Sequence, residues 1–158
     1  MKKFFLLALL LFCGIGHLQA QEQGDSRVHL LGQYGLRMEE PGIGAGWEYF
    51  FAPNFAFMPS YTQLFPRIGR AGNFSADLRY YLSKEKSQVY VITGYSLSSE
   101  NSQPDAAGSR RNISGANVGV GAVIPLTDWV GLSTEFKFQS QGIRQTYFRF
   151  GLQFPLGK

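Results

Sequence analysis

The sequence alternates apolar and polar residues in eight short segments, and this period of two limits what the chain can fold into. Successive side chains of a β-strand point to opposite faces, so each segment predicts a strand with one apolar and one polar face. In residues 73–82, for example, Phe74 and Leu78 share one face while Arg79 lies on the other. The eight segments are residues 27–37, 42–51, 55–64, 73–82, 88–97, 113–124, 130–140 and 145–154.

Residues 1–20 have the pattern of a secretory signal peptide. Lys2 and Lys3 supply the positively charged start, and the apolar run that follows is too short to span a bilayer as a helix. Cleavage is expected after Ala20. The remaining residues 21–158 are enough for one domain, which is predicted to be the β-barrel itself.

Charge and hydropathy exclude several classes of function. Removing Lys2 and Lys3 leaves 13 of the 15 basic residues against 11 acidic residues, with no basic run, so no nucleic-acid partner is expected. After Ala20, no apolar run reaches the length of a transmembrane helix. Charged residues make up 16% of the sequence, which is fewer than the surface of a soluble sandwich normally carries.

The alternation alone also fits a soluble antiparallel sandwich or a lipocalin-like barrel, so the direction of the apolar face must be decided. If that face pointed inward, large aromatic rings would crowd a small interior while Asp77 and Lys137 faced solvent. The low charge and the aromatic content of 15% favour the opposite arrangement, with apolar residues facing lipid. The sequence therefore predicts an all-β fold, a single eight-stranded antiparallel up-and-down transmembrane β-barrel.

The connections between the segments differ in length, and their lengths indicate the two sides of a membrane. The compact connections are residues 52–54, 83–87 and 125–129, and the longer ones are residues 65–72 and 98–112. With the amino terminus in the periplasm, the compact set falls on the periplasmic side and the longer set outside. Proline has no N–H to donate to a ladder, so a bulge or local break is expected at Pro59.

Three stretches carry a resemblance to a known family: the alternating residues 73–82, the turn Ile-Pro-Leu-Thr-Asp-Trp at 124–129, and the aromatic-rich residues 147–154. They resemble the small eight-stranded outer-membrane barrels of the OmpA-like and OmpX-like type. The resemblance implies export through the periplasm into the bacterial outer membrane and assembly by the outer-membrane insertion machinery, which reads an aromatic-ended last strand. Here residues 155–158 follow Phe154, so that signal is slightly internal. The wall-anchoring role of longer OmpA-like proteins is not implied.

The polar face predicts the contents of the lumen, because an eight-stranded barrel has room for side chains and hardly for a wide pore. Charges removed from water need partners, so the presence of both signs on this face predicts an ion-pair network. In an alternative interpretation the network is a gate, whose pairs exchange partners and open a narrow route for ions. The predicted network is Arg37, Glu48, Asp77, Arg79, Glu135, Lys137 and Arg149.

Arginines in the predicted outer loops are candidates for contact with lipopolysaccharide, because guanidinium groups suit anionic phosphates. Ordinary solvated loops are the alternative. These arginines are Arg67, Arg70, Arg110 and Arg111. Aromatic residues near strand ends, among them Trp47, Tyr81 and Trp129, are interpreted as the girdle that marks the membrane interfaces.

The sequence shows no catalytic constellation, and no catalytic, cofactor-binding or metal-binding residue is assigned. His29, the one histidine after the leader, is interpreted as a lumen-rim or turn residue and not as a catalytic base. The sequence therefore predicts a non-enzymatic envelope barrel with a structural or interaction role, in contact with outer-membrane lipid and lipopolysaccharide. Two alternatives stay open: a narrow gated channel for ions or small solutes, and an accessory subunit of a larger outer-membrane secretion or assembly complex.

Overall fold

The structure, a computed structural model, describes residues 23–83, 87–103, 110–140 and 145–156. These residues form the strands β1 (Ser26–Gly35), β2 (Glu40–Ala52), β3 (Phe55–Leu64), β4 (Arg70–Tyr81), β5 (Gln88–Asn101), β6 (Arg110–Pro125), β7 (Gly131–Gln139) and β8 (Gln145–Leu156). Each strand pairs antiparallel with the next, and β1 pairs with β8, which closes the sheet. The predicted eight-stranded antiparallel up-and-down barrel is confirmed, and its closure removes the free sheet edges. Within the described ranges, no helix is long and apolar enough to cross a membrane.

The alternation of the sequence becomes an alternation between the outside and the inside of the barrel. The side chains of Trp47 and Phe150 point outward and are 45% and 51% exposed, whereas Glu48 and Arg79 point inward and are completely buried. A soluble sandwich or lipocalin-like barrel places its apolar face inward, so the structure decides between the two directions that the pattern allowed. Its outer wall has the apolar character that lipid requires, and its interior is polar.

Compact turns join the strands at the end of the barrel where β1 begins and β8 ends. Between β2 and β3, Pro53 and Asn54 form a two-residue turn, and Asn54 has a φ of 67°. Asparagine adopts this left-handed conformation more readily than most residues. Between β6 and β7, the amides of Leu126 and Thr127 both donate to the carbonyl oxygen of Val130 at 3.0 Å. This is the end that the sequence assigns to the periplasm.

The strand β3 runs through Pro59 without interruption. On the β4 side Pro59 pairs with Ala76 in a continuous register. On the β2 side the ladder pairs Gly46 with Ser60 and resumes further along, so only this ladder is interrupted opposite the proline. Proline cannot donate to its neighbouring strand, which explains why one ladder is affected and the other is not.

The strand ends differ from the sequence prediction at the outer rim. The strand β5 continues to Asn101, four residues beyond the predicted end, and β6 begins at Arg110, three residues before its predicted start. These extra residues are polar and pair with each other across the two strands. Outside the apolar band a strand no longer needs alternating hydropathy, so the hydrogen-bond ladder extends where the sequence pattern had ended.

Candidate functional site in the barrel lumen

Six of the seven charged residues predicted to line the lumen lie inside the barrel. They come from β2, β4, β7 and β8, because every second residue of each strand points inward. Their exposed fractions are at most 2%. The six residues are Glu48, Asp77, Arg79, Glu135, Lys137 and Arg149.

The seventh predicted residue, Arg37, does not join this network. The strand β1 ends at Gly35, and Arg37 lies in the exposed turn that leads into β2. Within that turn Glu39 has a φ of 53°, so the backbone has left the extended conformation on which the period of two depends. The prediction for Arg37 was wrong because it continued the strand periodicity into the turn.

Arg79 is the centre of the network and crosses the lumen. Its Nη1 donates to Oε1 of Glu48 at 3.0 Å, and its Nη2 donates to Oε1 of Glu135. The guanidinium also lies over the ring of Tyr90, with 4.7 Å between Cζ and the ring centroid. One side chain from β4 therefore connects carboxylates on β2 and β7, which lie on different sides of the barrel.

Three side chains from two strands, β1 and β4, contact the carboxylate of Glu48. The hydroxyl of Tyr81 donates to Oε1 of Glu48 at 2.6 Å, and Nε2 of His29 lies 3.1 Å from Oε2 of the same carboxylate. Together with Arg79, these groups leave both carboxylate oxygens with partners. A carboxylate enclosed in this way avoids much of the cost of losing its water.

Glu135 lies between two arginines. Besides Arg79, the guanidinium of Arg149 approaches Oε2 of Glu135 with 3.6 Å between nitrogen and oxygen. Arg149 is held on its other side by Gln33, whose Oε1 accepts from Nη2 at 2.8 Å and from Nε at 3.2 Å. The hydroxyl of Tyr90 donates to Oε1 of Glu135 at 3.0 Å. The contact between Glu135 and Arg149 is the loosest of these ion pairs.

A second group of polar side chains continues the network toward the outer rim. Lys137 donates to Oδ2 of Asp77, and Nδ2 of Asn117 donates to the other carboxylate oxygen at 2.8 Å. Further along the same strands, Nδ2 of Asn73 donates to Oε1 of Gln139 at 2.7 Å. Polar contacts therefore cross the lumen at several levels along the barrel axis.

The buried charges of these six side chains balance. Glu48, Asp77 and Glu135 supply three negative charges, and Arg79, Lys137 and Arg149 supply three positive charges. Balanced pairing explains how so many ionisable groups can be removed from water inside one barrel.

Aromatic and aliphatic side chains fill the end of the lumen where β1 begins, which the sequence assigns to the periplasm. Tyr81 and Tyr90 belong to this plug, and their rings are 4.9 Å apart between centroids. Arg27 covers the plug, with its Cζ 4.7 Å from the ring centroid of Phe50. We call these buried residues the periplasmic plug: Phe50, Ala56, Tyr81, Tyr90, Ile92 and Val123.

Sequence reasoning missed several members of this site. Tyr81 was assigned to the interfacial girdle, but it points inward and is 1% exposed. His29 was expected at the rim or in a turn, but it lies within β1 and is completely buried. The sequence pattern does indicate both positions. When every second residue is counted, His29 and Tyr81 fall on the same polar faces of their strands as charged residues. Both side chains contact Glu48, so uncharged hydrogen-bonding groups belong to this network as well as charged ones.

The four predicted loop arginines all lie at the outer rim, but they do not all point the same way. Arg67 is exposed and its Nη2 lies 3.0 Å from Oε2 of Glu39. Arg70 and Arg110 occupy outward-facing positions of their strands. Arg111 occupies an inward-facing position and is the register partner of Glu100. The four arginines therefore do not form a single patch.

Comparison with known proteins identifies the fold. The chain matches no protein-family model and no curated protein sequence. The N-terminal β-barrel domain of OprF from Pseudomonas aeruginosa is similar in structure, with a TM-score of 0.74 and 18% sequence identity. The match covers 87% of this chain and 100% of that domain. The fold is that of a small outer-membrane β-barrel.

Further solved structures have the same architecture. The outer membrane protein OprG of Pseudomonas aeruginosa has a TM-score of 0.63 at 10% identity, over 87% of this chain and 98% of that chain. Ail, the attachment invasion locus protein of Yersinia pestis, has a TM-score of 0.63 at 12% identity, over 85% of this chain and 100% of that chain. That structure contains the heparin analogue sucrose octasulfate. The predicted resemblance to small eight-stranded barrels is confirmed, and the apolar outer wall supports the predicted outer-membrane location.

Proposed function

We propose that the protein is a closed, non-enzymatic barrel with a structural or interaction role in the bacterial envelope. The observation that carries the proposal is the charge network that crosses the lumen. The single side chain of Arg79 contacts both Glu48 and Glu135, which lie on two other strands. An ion that entered the lumen would have to separate these pairs, and removing one partner of a buried pair typically costs about 3–5 kcal/mol.

Two further observations support this proposal. The periplasmic plug lies across the lumen beside the charge network, so a solute would have to displace aromatic rings as well as ion pairs. His29 is completely buried and its Nε2 contacts Glu48, which leaves it no surface for contact with an external substrate. A role without catalysis and without transport leaves the outer wall and the loops as the functional surfaces.

Ion flux from proteoliposomes tests the proposal. We expect vesicles that contain the protein to release a trapped ion no faster than vesicles without protein. Arg79→Ala removes the side chain that crosses the lumen and is expected to raise the flux, whereas Arg37→Ala in the exposed turn is expected to leave it unchanged. Flux through the unaltered protein clearly above that of empty vesicles would contradict the proposal.

A narrow gated channel is a second candidate, and the position of Glu135 favours it. This carboxylate lies between Arg79 and Arg149, and its contact with Arg149 is long at 3.6 Å. An exchange between these two partners would change the charge distribution across the lumen. If the pair is a gate, Arg149→Ala alters single-channel currents, and currents that this substitution leaves unchanged count against gating.

An accessory subunit of a larger complex is the third candidate, because the outer wall is the largest surface available to a partner. That wall carries exposed aromatic side chains, among them Phe136 on β7 and Phe148 and Phe150 on β8. The last strand β8 is also where we expect the outer-membrane insertion machinery to act during assembly. Isolation in mild detergent followed by mass measurement distinguishes the candidates, since a larger stable particle supports the subunit role and a lone barrel opposes it.

A further inference from the structure

The outer wall contains an open groove of about 370 Å³ on the side formed by β1 to β4. Its walls are large side chains, including Trp47, Tyr61 and Phe74, which are 45%, 52% and 46% exposed. Its floor is formed by smaller residues, including Ala45 and Pro59. The groove is lined mainly by apolar groups and faces the space that lipid occupies around a membrane barrel.

The groove follows from the local sequence. Ala45 and Pro59 occupy outward positions on neighbouring strands, where most of the surrounding outward residues are large. Tyr61 is the register partner of Ala45 on β2 and of Phe74 on β4, so the large ring of Tyr61 lies next to the small side chain of Ala45. Small residues between large ones leave a shallow depression in the outer wall.

A polar ledge lies above the groove, on its side toward the outer rim. The hydroxyl of Tyr61 donates to Oε1 of Gln63 at 3.2 Å. The Nε2 of Gln63 donates to the carbonyl oxygen of Ala71 at 2.6 Å, which fixes the amide against β4. The aromatic ring of Tyr61 therefore lies in the apolar band, while its hydroxyl is directed toward the rim. This is the usual position of tyrosine at the boundary between lipid and water.

One outward-facing arginine, Arg70 on β4, lies above this ledge, and a second, Arg110 on β6, lies two strands away at the same rim. Arg70 and Phe74 both face outward on β4. Arg70 lies four residues closer to the outer rim, a distance of about 13 Å along an extended strand. Asn101 and Arg110 continue the same register row on β5 and β6, and Nε of Arg110 donates to Oγ of Ser99 at 2.7 Å. Going down the wall, the order is therefore cationic, polar and apolar.

We propose that this face binds one molecule of the lipid A part of lipopolysaccharide, with a phosphate at Arg70 and an acyl chain in the groove. The inference deepens the proposed interaction role and rests on it, but it does not depend on whether the lumen conducts. Charge complementarity supports this occupant, because a phosphorylated and acylated lipid has anionic groups directly above its hydrocarbon chains. Among the described residues, none of the ion pairs involves Arg70, and a guanidinium group suits bidentate contact with phosphate.

Native mass spectrometry of the full chain in mild detergent tests the site. The probes are bis-phosphorylated lipid A, the same lipid without its phosphates, phosphatidylglycerol and inorganic phosphate. We expect a one-to-one complex with bis-phosphorylated lipid A, and affinities at least about tenfold lower for the other three. Equal binding of phosphatidylglycerol would overturn the proposal in favour of a general anionic-lipid surface.

Two substitutions separate the phosphate contact from the groove. Arg70→Gln is expected to weaken binding of bis-phosphorylated lipid A about tenfold and to leave the phosphate-free lipid unaffected. Ala45→Leu fills the groove and is expected to weaken both lipids. The matched controls are Arg111→Gln at the same rim and Ala116→Leu, an outward position on β6, and both are expected to bind normally.

The folded state of each variant is checked by its heat-dependent migration on gels. If Ala45→Leu fails to fold, Pro59→Leu fills the same groove from the neighbouring strand and takes its place. Unchanged lipid A binding by a folded groove variant would overturn the acyl-chain part of the proposal. Unchanged binding by Arg70→Gln would overturn the phosphate part. Either result leaves the ion-flux test of lumen closure unaffected, so the two proposals fail separately.

Discussion

At the scale of single residues, the protein depends on charges that satisfy one another inside the barrel. Glu135 shows this most clearly, since it accepts from Arg79 and Tyr90 and lies beside Arg149. Removing this carboxylate would leave two buried guanidinium groups with fewer counter-charges. Such uncompensated charges cost far more than the loss of a contact at the surface.

We therefore predict that Glu135→Ala lowers the free energy of unfolding by about 3–5 kcal/mol. Equilibrium unfolding in urea with the protein folded into lipid vesicles measures this loss. The matched control is Glu39→Ala, which removes a carboxylate from the exposed pair with Arg67 and is expected to cost about 1 kcal/mol or less. Similar losses in both variants would show that the lumen network contributes no more than a surface pair.

The sequence predicted which charged residues enter the lumen better than it predicted their partners. Period two places Glu48, Arg79 and Glu135 on inward faces, and this parity can be read from each strand separately. Their pairing depends on how far each strand is shifted relative to the others around the barrel. Arg79 contacts carboxylates that are 31 and 56 residues away in the sequence, and no local pattern encodes that shift.

At the scale of strands, close packing inside the barrel requires small residues opposite large ones. Gly121 on β6 is the register partner of Tyr90 on β5. A Cβ atom at Gly121 would lie 2.5 Å from Cζ of the Tyr90 ring. The glycine-rich face of β6 thus provides the space that an aromatic plug needs.

We predict that Gly121→Val destabilises the barrel by about 1–3 kcal/mol, because the new side chain must displace the ring of Tyr90. The control is Ala122→Val, which adds a similar side chain at the neighbouring outward position, where it meets lipid. Thermal unfolding in detergent, followed by circular dichroism, compares the two variants. If the outward substitution is the more damaging one, the assignment of faces on β6 is wrong.

The central parts of the strands were predictable, but most of their ends were not. The strand β3 has the predicted bounds, because its alternation and its flanking turns coincide. The strand β1 stops at Gly35, before Arg37, and β5 extends to Asn101. The hydropathy pattern indicates which part of a strand lies in lipid. Where the strand ends depends on the geometry of the turn, because the hydrogen-bond ladder can continue outside the apolar band.

At the scale of the whole molecule, the barrel is built to face lipid. Outward residues on β6 such as Val118 and Val120 are more than half exposed, at 53% and 52%. In water such a surface would be unfavourable, because burial of apolar area is the main force that stabilises soluble folds. The arrangement is favourable when hydrocarbon surrounds the wall.

We predict that Val120→Lys lowers the stability of the barrel in lipid vesicles by about 2–4 kcal/mol, because the charge must enter the hydrocarbon layer. Val120→Thr, which keeps the branched shape and adds a single hydroxyl, is expected to cost much less. Urea unfolding in vesicles measures both variants. A soluble barrel would tolerate lysine at this exposed position, so an unchanged stability would contradict a transmembrane wall.

Closure of the lumen depends on features at all three scales: the paired charges, the glycines opposite the plug and the complete ring of strands. Planar-bilayer recording of the purified, refolded protein tests it most directly. A closed lumen predicts no current through the unaltered protein at moderate voltages. Currents are expected only after Arg79→Ala or another substitution that opens the network. Discrete currents from the unaltered protein that change in Arg149→Ala would contradict a closed barrel and would establish the gated channel instead.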